Sequence, residues 1–359
     1  MSSNERQRTE AATSVTAGHA VHVAWADFQR RQVSIAELVG MECLFLPPCY
    51  AGRNRLAQAW NYLRLFARTV GALRSRRPVV VWIQLPQVPL LWAALLYRAL
   101  FNPAVKLVAD CHNGMFRPPW SKVPMGLSWL ARCDLIVVHN PDMLQAALAA
   151  GLPAVRTLVL EDVPPWRRDA PSDSPPDIFA AKPKPWVLYP GSLKGDEPVP
   201  EMLLAAEALG DGVVVLTGPQ TNAHKYGHDI SRLPSNVVMP GFLPVEQFDE
   251  LLAHADVVLA LTRLEGVQLS VCNEALGFAK PMVVSDTMLL RTMFGAAAVL
   301  VDSNDFQAIA QGIREAWNRR VDLAQSASKL ARQRRDDWLT KQWAACATSL
   351  AAGGARDRR

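Results

Sequence analysis

From position 19 onward, short runs of almost unbroken apolar residues alternate with segments whose apolar positions recur every three or four residues. The first half reads HAVHVAW (19–25), CLFLP (43–47), a long helical pattern from Arg53, VVVWIQL (79–85), a helical pattern from Pro89, VKLVADC (105–111), CDLIVVH (133–139) and RTLVL (156–160). Strands this uniformly apolar and this rich in Val and Ile suit a parallel sheet covered on both faces, so this half is expected to be a doubly wound α/β domain. Seven prolines then crowd 164–185, too many for a strand or helix, and mark a connector between domains. Beyond it the alternation restarts with strands PWVLYP, GVVVLTG, NVVMPG, DVVLALT, PMVVSD and AAVLVD. Helical patterns VPEMLLAAEAL, VEQFDELLAHA, VCNEALGFA, a short one around 289–294 and DFQAIAQGIREAWNRR separate and follow them. The expected organisation is a loose tail at 1–18, a Rossmann-like domain at 19–163, a Pro-rich linker at 164–185, a second Rossmann-like domain at 186–325, and a C-terminal helix and tail at 326–359.

Two such domains are expected to face each other across a cleft at the carboxyl ends of their parallel strands, where open α/β sheets bind ligands. Dehydrogenases and nucleotide-sugar transferases both use this arrangement. A dehydrogenase needs G-x-G-x-x-G after its first strand, and neither HAVHVAWADFQ nor VLYPGSLKGDE supplies it. No Asp-x-Asp pair occurs anywhere, which favours a metal-free way of holding a diphosphate, so no metal and no cofactor are expected.

Composition narrows the picture further. With 359 residues, half of them hydrophobic and a fifth charged, the chain is neither disordered nor a small stapled scaffold. The longest nearly uncharged run, 88–101, is broken by Arg98 and falls short of the roughly 20 residues of a membrane span, so none is expected. Six cysteines without a paired spacing, behind a polar N-terminus that does not read as a signal peptide, point to reduced thiols in a cytoplasm. The net charge of +5 is uneven: residues 1–170 hold 19 Lys and Arg against 11 Asp and Glu, the remainder 19 against 22.

The most informative stretch is LTRLEGVQLSVCNEALGFAKPMVVSD (261–286). Glu265 and Gly266 close a strand, the backbone from Val267 to Val271 enters a helix, and Glu274 lies about one turn in. Free N–H groups at a helix start hold phosphates, and flanking carboxylates accept hydrogen bonds from sugar hydroxyls. This resembles the paired-glutamate signature of GT-B glycosyltransferases, especially the glycosyltransferase group 1 family. The resemblance implies that Glu265 contacts the transferred sugar, that Gly266 and the amides of Gln268, Leu269, Ser270 and Val271 meet the diphosphate, and that Glu274 holds the ribose. Eight residues separate the two glutamates where the family usually has seven, so either the loop bulges or Glu265 is displaced by one position.

Upstream, PSNVVMPGFLPVEQFDELLAHADVVLAL resembles the family's strand, Gly-aromatic turn and helix, which places Gly241 and Phe242 near the nucleotide base. YPGSLKGDEPVPEMLLAA resembles its glycine loop, implying phosphate contacts from Gly191, Ser192 and Lys194. The Arg that many members add after this Lys is absent; Gly195, Asp196 and Glu197 follow instead.

In the first half, VADCHNGMF puts Asp110, His112 and Asn113 at a strand end, and His112 or Asp110 is the candidate acid or base on the acceptor side. His139-Asn140-Pro141 reads as a turn and helix start. Trp25, Asp27, Arg30 and Arg31 stand where many relatives carry a glycine-rich loop. Residues 53–77 hold seven arginines and no acid, with Leu56, Trp60, Leu63, Phe66, Val70 and Leu73 on one side of the helix and Arg53, Arg64 and Arg68 beside them. Such a helix either lies at an anionic membrane surface or simply faces the core.

The expected function is metal-independent transfer of a hexosyl-type sugar from a nucleotide-diphosphate sugar to a saccharide or lipid-linked acceptor, in polysaccharide or glycoconjugate assembly. The expected place is the cytoplasm, peripheral on the inner face of the cell membrane, with no nucleic-acid partner. The alternatives are a nucleotide-sugar epimerase of the same fold and a non-catalytic nucleotide-sugar-binding partner of a transferase.

Overall fold

A computed structural model of the chain describes residues 19–49, 54–165 and 174–353. They form two compact units. One comprises the described residues up to Val163 together with those from Asp336 on; the other is Pro164–Arg335.

The first unit runs β1 (Ala20–Ala24), α1 (Arg30–Val39), β2 (Glu42–Phe45), α2 (Arg55–Arg76), β3 (Val80–Leu85), α3 (Val88–Leu100), β4 (Lys106–Cys111), α4 (Leu127–Leu130), β5 (Leu135–Val138), α5 (Pro141–Ala149) and β6 (Thr157–Val159). Its six strands are parallel in the order β2-β1-β3-β4-β5-β6. Every residue of β1, β3 and β5 is buried, which is why these runs carry no polar alternation. The order reverses between β1 and β3, so the carboxyl ends there form a switch point open to ligands.

The second unit runs β7 (Trp186–Pro190), α6 (Val199–Leu209), β8 (Val213–Thr217), α7 (Gln220–Tyr226), β9 (Val237–Gly241), α8 (Val245–His254), β10 (Val257–Ala260), α9 (Ser270–Gly277), β11 (Met282–Ser285), α10 (Met288–Phe294), β12 (Ala298–Val301), α11 (Phe306–Asn318) and most of α12 (Arg320–Asp337). Its parallel order is β12-β11-β10-β7-β8-β9, with the switch between β10 and β7. The glycine loop after β7 and the glutamate loop after β10 therefore lie side by side.

Two segments do more than their composition suggests. At the end of the Pro-rich stretch, Phe179 is fully buried in the second core and stacks on Trp186 at 5.1 Å, so the connector closes as part of that core. After α12, Trp338 and Trp343 are buried in the first unit, Trp343 stacking on Trp82 of β3 at 5.9 Å while the Trp338 indole donates to the Glu161 carbonyl at 3.0 Å. The final helix α13 (Ala344–Gly353) follows them, and so the first unit is completed by residues from both ends of the chain.

Candidate functional site

In the second unit the carboxyl ends of β7, β8 and β9 are tied in a row by the backbone. Gly191 N–H donates to the Thr217 carbonyl at 3.1 Å and Gly218 N–H to that of Gly241 at 2.9 Å. A Cβ on Gly218, whose φ is +132°, would sit 2.1 Å from the Gly191 carbonyl oxygen, so only glycine permits this approach. Next to Gly241, the Phe242 side chain is 82% exposed, a ring face free to stack on a planar base.

The glycine loop itself is already occupied from within. Leu193 adopts φ +54°, and this left-handed turn converges the amides of Ser192 and Leu193 on the Glu197 carboxylate, at 2.9 and 2.8 Å; the Ser192 hydroxyl donates to it as well. Burial raises the Glu197 carboxyl above its ordinary value, against the pull of those hydrogen bonds. The hydroxyl and amide of Ser192, expected at a phosphate, are thus both spent on Glu197. Lys194 is exposed, with no side-chain partner among the described residues. The loop is anchored to the neighbouring strand end: Arg263 N–H donates to the Asp196 carbonyl at 2.8 Å, and the Arg263 guanidinium bonds Glu201 at 2.5 Å and the Glu197 carbonyl at 3.1 Å.

Beyond Arg263 the chain turns at Gly266 (φ +68°) into α9. Glu265 accepts from the Met288 amide at 3.1 Å, tying it to the first turn of α10. Leu269, the residue before α9, is extended and gives no side-chain cap, and the first turn holds no acid. The amides of Ser270 and Val271 therefore head the helix with no acceptor among the described residues. Around them both amide atoms of Gln268 and both of Asn273 are buried with no partner among the described residues, and Asn273 is only 2% exposed. Buried amides are almost always satisfied, so four such atoms beside a bare helix start mark a place prepared for a polar ligand. Glu274 lies half-buried one residue on.

The first unit gathers its polar groups at the carboxyl ends of β1, β4, β5 and β6. Arg31, in the first turn of α1, donates to Asp110 through Nε at 3.0 Å and Nη2 at 3.1 Å, to Asp162 at 2.7 Å and to the Leu160 carbonyl at 2.7 Å. Burial opposes charge on Asp110, yet Arg31 and the His139 hydrogen bond hold its carboxyl well below the usual range; Asp162 is lowered by the same guanidinium, also against burial. His139 Nε2 lies 3.2 Å from Asp110, and its ring packs edge-on against His112 at 4.1 Å. Gln84, at the end of β3, places its amide nitrogen 2.7 Å from His112 Nε2. With that amide donating, Nε2 is the acceptor and Nδ1 carries the proton. Burial and His139 both lower the His112 pKa, so this partly exposed ring is a neutral N–H donor near pH 7.

Asp110, one of the two candidate acid or base groups, sits behind this cluster. A base needs access, whereas Asp110 is fully buried and bound by Arg31 and His139. His139, read from the sequence as part of a turn, belongs to the cluster, as do Arg31, Asp162 and Gln84; their partners come from remote strands, and no local spacing signals them. Asp110, His112 and His139 offer ligand-type atoms within 4.8 Å of one another. The Arg31 charge beside Asp110 opposes a cation there. Of the membrane candidates, Arg53 lies outside the described residues, while Arg64 and Arg68 are exposed on α2.

His22, inside β1, is fully buried with neither ring nitrogen hydrogen-bonded among the described residues, and burial pushes its pKa down to about 4 against the opposing pull of Asp110. Its folded value lies below the unfolded one, so the unfolded chain binds the extra proton between about pH 6.5 and 4. Stability should therefore be intact above pH 6.5 and fall as the pH drops toward 4, His22 alone contributing up to about 3 kcal/mol. Urea midpoints at pH 7 and pH 4.5 check this: His22→Phe should lose clearly less between the two than the native chain, and an equal loss would remove His22 as the cause.

The family profile described as glycosyl transferases group 1 matches residues 173–334. No curated protein matches the sequence. Among solved structures, the chain is similar to HepE of Anabaena in complex with UDP and glucose, with a TM-score of 0.65 and 16% identity over 98% of this chain and 95% of that one. It is similar to sucrose-phosphate synthase from Thermosynechococcus elongatus, with a TM-score of 0.61 and 14% identity over 93% and 97% of the two chains. A glycosyltransferase from Rickettsia africae gives a TM-score of 0.58 and 12% identity over 97% and 93%. At these identities the likeness is one of fold.

Proposed function

We propose, for a chain of the GT-B fold whose residues 173–334 belong to the glycosyl transferases group 1 family, that it moves a sugar from a nucleotide-diphosphate sugar to a saccharide or lipid-linked acceptor. The observation that carries this reading is the head of α9, where the Ser270 and Val271 amides and the unpartnered Gln268 and Asn273 side chains await a polar ligand. When the bond between the anomeric carbon and the diphosphate breaks, negative charge grows on the leaving group. Helix-start amides stabilise that charge without reorganising, and the reading needs no divalent ion.

The remaining groups of the second unit fall into roles around that point. Glu274 accepts from the ribose hydroxyls, Phe242 stacks on the base, and Glu265, steadied by the Met288 amide, stands at the sugar. Lys194 and Gly191 border the phosphates. Ser192 acts indirectly by holding Glu197. In the first unit His112 offers its Nδ1–H to a sugar hydroxyl. Asp110 is a positioning residue, fixing Arg31 and His139 behind that ring. The UDP and glucose bound to HepE make UDP the first probe.

Calorimetry with UDP tests the donor half. The native chain should bind it, and Glu274→Ala should weaken binding by roughly 1.5–3 kcal/mol, the range for hydrogen bonds to charged groups, with the melting curve of the free protein unchanged. Equal affinity in the two proteins overturns the ribose assignment. Release of free nucleoside diphosphate that depends on added acceptor extract separates a transferase from an epimerase or a non-catalytic sugar-nucleotide binder.

A further inference from the structure

We propose that the outer face of α2, formed by Leu56, Trp60 and Leu63 with Arg64 and Arg68 alongside, seats the first unit on an anionic lipid bilayer. The inference does not depend on the transferase reading.

The helix has two apolar sides where one is enough to hold it. Leu65, Thr69 and Leu73 are fully buried, and Tyr62 and Phe66 pack partly against the same core. These residues fix α2 to the sheet. Leu56, Trp60 and Leu63 lie about a third of a turn round the helix and are 78%, 68% and 57% exposed. Three large apolar side chains on one solvent-facing line are not explained by the fold, and a Trp with an apolar body and a polar N–H suits a lipid headgroup boundary.

Charge selects the occupant. Residues 53–77 contain seven arginines and no acid. Two of the arginines are engaged elsewhere, Arg76 with Glu42 at 2.7 Å and Arg74 over the Phe101 ring at 5.1 Å. Among the described residues no carboxylate pairs with Arg64 or Arg68; Arg64 touches the Cys49 thiol. A cationic flank beside exposed Leu and Trp complements anionic headgroups over acyl chains. Past Leu63 the same line continues through Ala67 and Gly71, which give a protein groove nothing to grip. No helix among the described residues is long and apolar enough to cross a membrane, so the contact is interfacial.

Topology places this face beside the site. Between parallel strands β2 and β3, α2 runs back against the strand direction, which puts its first turns at the carboxyl edge of the sheet. The contacts agree: Tyr62 stacks on Trp25, just past β1, at 5.9 Å, and meets Trp120, in the segment after β4, edge-on at 6.1 Å. His112 opens that same segment. A bilayer under Leu56, Trp60 and Leu63 therefore lies near the edge where His112 stands, within reach of an acceptor carried by lipid.

Co-sedimentation of the full chain with vesicles tests the proposal, comparing phosphatidylglycerol mixed with phosphatidylcholine against phosphatidylcholine alone. Binding should require phosphatidylglycerol and weaken as salt rises. Arg64→Glu with Arg68→Glu should lower the partition coefficient by at least about thirtyfold, and Trp60→Ser with Leu63→Ser should lower it at least about tenfold. UDP affinity, measured on the same variants, should match the native chain and certify their folding; native vesicle binding without UDP binding would sink the donor reading and leave this one standing. No native binding at low salt, or native-like binding by both double variants, overturns the surface. A native dimer that Trp60→Ser with Leu63→Ser converts to monomer overturns it too, by assigning the face to a second copy of the chain.

Discussion

Replacing Arg31 with Met should destabilise the first unit by about 3–5 kcal/mol, the usual result of removing one partner from a buried ion pair. The guanidinium carries five hydrogen-bonded contacts, to two carboxylates and a carbonyl, from a position 7% exposed. Met fills much of the stem's volume, so the loss measures charge and hydrogen bonds rather than a cavity. Left behind, the fully buried Asp110 and the partly buried Asp162 face no cation among the described residues, only the neighbouring His139, His112 and His22 rings, and each must take up a proton or draw in water. Adding Asp110→Asn to Arg31→Met should recover part of the loss, because the most buried of the orphaned charges is then gone. Urea unfolding of the two variants and of Asp110→Asn alone completes the cycle. A loss under about 1 kcal/mol for Arg31→Met, the scale of an exposed pair, would show that the cluster is solvated and that Asp110 is free to act as a base after all.

The same cluster marks where the sequence stops being readable. Strands and their order along the chain were legible because they are short apolar runs, those at the centre of the first sheet, β1 and β3, buried on both faces. Helix α1 was not, since RRQVSIAELV opens without a capping side chain and mixes β-branched and polar residues. Its first turn nonetheless carries Arg31, whose partners lie 79 and 131 residues away. Pairing over such distances leaves no periodic trace. On α2 the apolar side read from periodicity ran from Leu56 to Leu73 as one stripe; the structure buries Leu73 and exposes Leu56, Trp60 and Leu63, because the helix docks along Leu65 and Leu73 rather than along the stripe's middle. In the second unit the helix start at Ser270 and the half-buried Glu274 were visible in the motif. Asn273 and Glu197 were not, since an unpartnered amide and a carboxylate folded onto its own loop are statements about neighbours. What a family-like motif conveys is where the backbone turns; which groups remain free after folding depends on the packing.

That distinction decides the experiment with the largest expected effect on turnover. If the Ser270 amide carries part of the leaving diphosphate's charge, Ser270→Pro should lower kcat by about 10²–10³-fold, the usual effect of removing one preorganised donor from a developing anion. The substitution is close to surgical. Ser270 is the first residue of α9, where proline's fixed φ and missing N–H are both tolerated. The preceding Leu269 sits at φ −94°, ψ 115°, an extended conformation that proline allows in its neighbour. The helix should therefore survive, which an unshifted melting curve verifies. Ser270→Ala keeps the amide and discards only the hydroxyl, so it should stay within a few-fold of the native rate and isolate the backbone N–H as the cause. Both variants should be assayed with saturating donor, since a loss confined to KM would mean that the amide binds the ground state and the transition state equally. A Ser270→Pro protein that folds and keeps more than a third of native kcat would remove the start of α9 from the leaving-group site. The charge would then have to be borne at the loop after β7, with Glu197 displaced from the Ser192 and Leu193 amides that it now occupies.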